Sequence, residues 1–153
     1  MWPDERITRL VSENFLAGRV HPKDGEIFGR LGEQYGAPWT PTTLLLDPQG
    51  VERHRIEGFL PVEEFLAQLH LGLGHLAFHA SRWEEARSHY REVADKFADT
   101  DAAPEAVYWE GVARYKESGD AVALRETAET FDKKYQDSIW SKKASVWKPN
   151  VAA

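Results

Sequence analysis

The sequence predicts an α/β front half with the order α-β-α-β-β-α, followed by an all-helical half built from repeated helix pairs. Three observations carry this. An apolar run, a turn and an alternating run follow one another over residues 42–56, as in a β-hairpin. From Leu71 onward every strong periodic signal is helical. The helical half also repeats itself at a fixed interval, the mark of stacked helix pairs.

In chain order, Asp4 is placed to cap a helix in which Ile7, Leu10 and Val11 recur at helical spacing, ending near Asn14. Residues 15–21 read as a short strand stopped by Pro22. Asp24 is the expected cap of a second helix, with Ile27, Phe28 and Leu31 on its apolar face and Gly36 past its end. Pro38 and Pro41 exclude a helix from the next stretch. Thr42–Leu46 is a continuous β-branched and apolar run, Asp47-Pro48-Gln49-Gly50 a turn, and residues 51–56 alternate. Pro61 then opens a helix with Phe65, Leu66 and Leu69 on one stripe. Helical segments follow over residues 71–80, 83–97, 104–116, 122–135 and 140–147, with Thr100 or Asp101 as a cap before Pro104. The expected division is 1–70 and 71–153.

Lys96-Phe97-Ala98-Asp99-Thr100 matches Lys134-Tyr135-Gln136-Asp137-Ser138, Ala106 matches Ala144, and Trp109 matches Trp147, each pair 38 residues apart. Leu73, Gly74, Phe78, Trp83, Ala86 and Tyr90 stand in the order of the tetratricopeptide repeat, which this half resembles; Ala98 stands where that repeat has proline. Two readings stay open for this tetratricopeptide-like region: a helical cap on the front domain, or a peptide-binding groove. Trp83, Trp109 and Trp147 fall on apolar stripes and are expected in the core, with Trp83 and Trp109 largely buried; Trp2 and Trp140 are unassigned.

The front half resembles the thioredoxin fold after its first strand. The resemblance rests on Tyr35-Gly36-Ala37-Pro38-Trp39-Thr40-Pro41-Thr42-Thr43-Leu44, where a helix ends and a loop leads into a core strand, and on Glu57-Gly58-Phe59-Leu60-Pro61 before the last helix. It implies a cis Thr40–Pro41 bond and a peptide-docking edge around Trp39, Thr40 and Pro41. Thioredoxin-like proteins with a tetratricopeptide-like tail form a bacterial group, and the whole chain resembles one. The family's Cys-x-x-Cys uses a thiolate to attack disulfides. This chain has no cysteine, so the resemblance implies no catalytic residue here. The expected role is a non-catalytic protein-interaction module. The alternative is a fragment of a thiol–disulfide oxidoreductase whose motif lies upstream.

A thioredoxin-like sheet without its first strand leaves open edges on the strand at 16–20 and on Thr42–Leu46. The two strands then pair directly, a second copy supplies the pairing, or the 16–20 strand detaches. The charge-free Thr42–Leu46 edge favours a homodimer.

Composition sets further bounds. The 153-residue chain is 42% hydrophobic, with a formal net charge of -6. It has no basic stripe for nucleic acid, no apolar run near the roughly 20 residues a bilayer requires, and no signal-peptide pattern at Met1-Trp2-Pro3, which points to the cytoplasm. His70, His75 and His79 are read as a solvated helix face rather than metal ligands, since no carboxylate completes a set. Glu63-Glu64 and Glu84-Glu85 are read as first-turn acids favoured by the helix dipole. No glycine loop for phosphate and no Gly-x-Ser-x-Gly elbow occurs, so no cofactor is implied.

Overall fold

A computed structural model describes residues 3–149 of the chain; Trp2 lies outside them. Helix α1 (Glu5–Asn14) starts where Asp4 accepts the Arg6 backbone N–H at 2.9 Å. Its Ile7 and Val11 pack against Phe65, Leu66 and Leu69. Helix α2 (Gly25–Tyr35) ends at Gly36, whose φ of 55° is the left-handed cap expected of glycine. Asp24 turns back instead of capping α2, accepting the His21 backbone N–H at 3.0 Å.

Residues 15–21 form no strand. The sheet has two strands, β1 (Thr42–Leu46) and β2 (Glu52–Glu57), paired antiparallel as a hairpin. A strand exists only where a neighbour completes its backbone hydrogen bonds, and β1 does not serve residues 15–21. Leu16 is fully exposed as a result. The segment is detached from the hairpin and does not pair directly with β1. The hairpin turn is organised by Asp47, whose carboxylate accepts the N–H groups of Gln49 and Val51. A bulge at Arg53 shifts the register, so that Leu45 faces His54 and Leu46 faces Glu52.

Helix α3 (Val62–His79) runs without a break through residue 70, joining what periodicity suggests are two helices. Its Phe65, Leu66 and Leu69 belong to the core under the hairpin, while Ala67, Leu71 and Ala77 belong to the core of the helical half. Gly72 lets the two halves approach. A Cβ there would lie 2.3 Å from Leu45 Cδ2.

Helices α4 (Trp83–Lys96), α5 (Ala102–Ser118), α6 (Val122–Lys133) and α7 (Ile139–Ala144) each pack on the helix before, close to the predicted segments. Neither Thr100 nor Asp101 caps α5 through its side chain; Thr100 Oγ1 donates to the Phe97 carbonyl. The close α3–α4 and α5–α6 approaches pass over glycines. A Cβ on Gly74 would meet Tyr90 Cε1 at 2.4 Å, and one on Gly111 would meet Thr127 Oγ1 at 2.0 Å. The Tyr135 hydroxyl donates to the Ala98 carbonyl at 2.6 Å and ties together two of the segments that match across the 38-residue interval. Trp83 and Trp109 are partly buried, with Trp109 packed against the core of the helical half. Trp147 stacks on Tyr108 with ring centroids 4.7 Å apart. Among the described residues, no helix is long and apolar enough to cross a membrane.

Candidate functional site

The loop before β1 is fixed on both sides. The Thr40–Pro41 bond is cis. The Pro41 carbonyl accepts the Gly58 N–H at 2.8 Å, and Thr42 Oγ1 donates to the Trp39 carbonyl at 2.6 Å. Arg55 on β2 donates to the Gly36 carbonyl at 2.9 Å and to the Tyr35 carbonyl, holding the end of α2 beside the loop. Its guanidinium also pairs with Glu52 and Glu57 at 2.7 and 2.9 Å. These partners raise the pKa of Arg55 and keep it charged, and Arg55 in turn holds Glu52 below the usual carboxylate range.

On this frame Trp39 is 68% exposed and Thr40 is also exposed, while Pro41 is half-buried. Phe59, 90% exposed, follows Gly58 directly, so the Gly58–Pro41 bond puts it at the same end of the hairpin. Trp39, Thr40 and Pro41 thus stand together at one accessible corner. Phe59 joins them there without having been singled out in the sequence. Its signal was available, since residue 58 pairs with residue 41 once the hairpin register is drawn.

The edge of β1 beside this corner is open. Because Pro41 and Gly58 form a hydrogen-bonded pair, antiparallel alternation directs the backbone groups of Thr43 and Leu45 toward β2 and those of Thr42, Leu44 and Leu46 away from it. Thr43 and Leu45 share their face with Ile56, against α3; Thr42, Leu44 and Leu46 have the opposite face with Arg55.

A second polar cluster lies at the junction of the two halves. The expected solvated histidine face is not what forms. His75 has 12% side-chain exposure. Its Nδ1 lies 2.8 Å from the Tyr90 hydroxyl and its Nε2 donates to Glu105 at 3.3 Å. Its ring also meets Trp109 edge-on at 5.7 Å. His54 lies 5.5 Å away, centroid to centroid, and its Nε2 donates to Gln68 Oε1 at 2.7 Å. Burial, and then the nearby His75, lowers the His54 pKa. Burial raises the Tyr90 hydroxyl pKa. His70 is half-buried near His89 and Phe97, and His79 is exposed beside Arg53. Among the described residues, no three histidine, aspartate or glutamate side chains group as a metal site. This cluster joins β2, α3, α4 and α5 through the His54–Gln68, His75–Tyr90 and His75–Glu105 pairs, while the Trp109 indole nitrogen beside His75 is buried without a hydrogen-bond partner. The acids Glu63 and Glu64 make tertiary contacts besides their first-turn position, Glu63 with Arg6 at 2.7 Å and Glu64 with the Asp101 N–H at 3.1 Å.

With this geometry in hand, comparison with known families gives one match: residues 2–72 fit the family described as thioredoxin-like domain. The match supports a thioredoxin-like fold for the front part. It ends inside α3. No curated protein and no solved structure matches the chain.

Proposed function

We propose that this chain is a non-catalytic protein-interaction module, a thioredoxin-like domain with a tetratricopeptide-like helical extension, that takes a protein or peptide partner at Trp39, Thr40 and Pro41. The observation that carries this reading is the exposure of Trp39 on a loop pinned by Arg55, Gly58 and Thr42. A large aromatic held in place loses little freedom on binding, and such residues dominate interface energies. Phe59 extends the apolar surface, and exposed peptide groups of the kind left free at Thr40 suit an extended segment. Disulfide exchange needs a thiolate, and the chain contains no cysteine to supply one. The helical extension serves in this reading chiefly as a cap on α3, because it shares that helix with the front domain.

The test is selection of binders from a displayed peptide library against the immobilised full chain, followed by affinity measurement in solution. Trp39→Ala is expected to weaken the selected peptides about 30-fold, as loss of a hot-spot aromatic does, with an unchanged melting curve. Equal affinity of wild type and variant would remove the assignment.

A further inference from the structure

We infer that the partner this surface fits is a second copy of the chain, joined antiparallel through the open edge of β1 with the two-fold axis at Leu44. The inference rests on the reading of Trp39 as an interaction residue and names its partner.

Three features favour a second copy over another occupant. The first is the edge itself. Thr42, Leu44 and Leu46 direct their backbone groups away from β2, and β1 contains no charge, no proline and no bulge of its own. Native monomers normally blunt such an edge with one of those devices. The detached segment at residues 15–21 lies in the same chain and leaves the edge uncovered.

The second feature is register. Pairing Thr42–Leu46 with itself sets Leu44 against Leu44, Thr43 against Leu45 and Thr42 against Leu46. No like charges meet. The charges nearest the axis belong to Arg55, Glu52 and Glu57 on β2, and they pair with one another within each copy. A chain with a net charge of -6 repels its copies generally, so an uncharged edge is the part of its surface suited to meeting one. An acidic or basic peptide would find no complementary charge along β1.

The third feature is area. A five-residue ladder alone falls short of the roughly 800 Å² per partner that a stable interface buries. The same register brings the Trp39 loop of one copy beside the hairpin turn of the other. Leu46 and Val51, 36% and 45% exposed, are available at that turn. The strand supplies direction and register, and the two symmetric Trp39 contacts supply apolar burial.

Sedimentation equilibrium of the full chain from 1 to 500 μM (on the order of the range in which edge-paired dimers form) reads the association. The expected result is a dimer, with Trp39→Ala raising its dissociation constant at least tenfold. Leu44→Lys places two ammonium groups on the axis and is expected to give a monomer. Should that variant unfold, Leu44→Cys keeps the question open to measurement, because no other cysteine is present. On mild oxidation it should cross-link to itself, while Leu16→Cys, exposed but off the edge, should not. A monomer at all concentrations overturns the inference; if a displayed peptide still binds in a Trp39-dependent way, the reading of the Trp39 site survives and only the second copy is lost. A monomer in which the Leu44 amide is protected by residues 15–21 also overturns it. A dimer that Leu44→Cys fails to link places the interface elsewhere and overturns it too.

Discussion

His54 is a residue whose chemistry is set by position. It sits on the face of β2 that meets α3, beside Leu45 and against Gly72, and gives one ring nitrogen to Gln68. Burial disfavours its imidazolium, as it does for His70 and His89, so all three have pKa values below that of a free histidine. The sign follows from linkage. In the unfolded chain these groups take up protons as pH falls below about 6.5; in the folded chain they resist doing so. The unfolded state therefore binds more protons in this window, and stability falls as pH falls through it. Asp4, Asp47 and Glu52 have lowered pKa values and lose their contribution only below the ordinary carboxylate range. The melting temperature is expected to drop between pH 7.5 and pH 5.5, and His54→Gln should reduce that drop. A flat melting profile over this interval would contradict the burial of these rings. His75 shows why such sites escape sequence reasoning. Its spacing from His70 and His79 suggests a helix face, but its partners Tyr90 and Glu105 come from two later helices, and no local pattern announces them.

At the scale of elements, the hairpin, the cis proline and the helix ends were legible because each depends on neighbours in sequence. Asp47 bonds the turn it belongs to, Gly36 and Gly119 take the left-handed caps, and Pro41 precedes its strand. Residues 15–21 look like a short strand in sequence, but a strand also needs a partner edge, which is a property of the fold and not of the segment. The joining of two predicted segments into α3 has a similar cause: Gly72 looks like a weak point in a helix, yet it is retained for contact with Leu45. Packing glycines and idle ones separate by substitution. Gly74→Ala drives a methyl into the Tyr90 ring, which is fully buried and bonded to His75, so the ring has no room to move. The expected cost is about 1–3 kcal/mol, as for other overpacked cores. Gly29→Ala, in α2 with nothing within 4 Å of the new carbon, should gain up to about 1 kcal/mol from helix propensity. Thermal denaturation of the two variants measures both. Equal shifts would show that α3 and α4 do not approach as closely as described.

Across the whole molecule, burial is uneven. The helical half closes around Tyr90, Val93 and a set of alanines that are almost fully buried. In the front half, α2 buries no residue, and Leu16, Trp39 and Phe59 are largely exposed. Composition already excluded thiol chemistry in this chain, since no cysteine is present. The resemblance to thioredoxin-like domains points to Trp39, Thr40 and Pro41; in the structure Trp39 and Thr40 are exposed, Pro41 is half-buried, and Phe59 lies at the same end of the hairpin. Amide hydrogen exchange on the full chain tests this account most directly, comparing the free chain with one saturated by a partner, whether a selected peptide or its own copy at high concentration. Exchange at the Thr40, Thr42 and Leu44 amides is expected to slow at least tenfold, with no change on α5 to α7 (an effect on the order of that given by hydrogen bonding of an exposed edge). Slowing confined to the helical array, with the β1 edge unchanged, would contradict it.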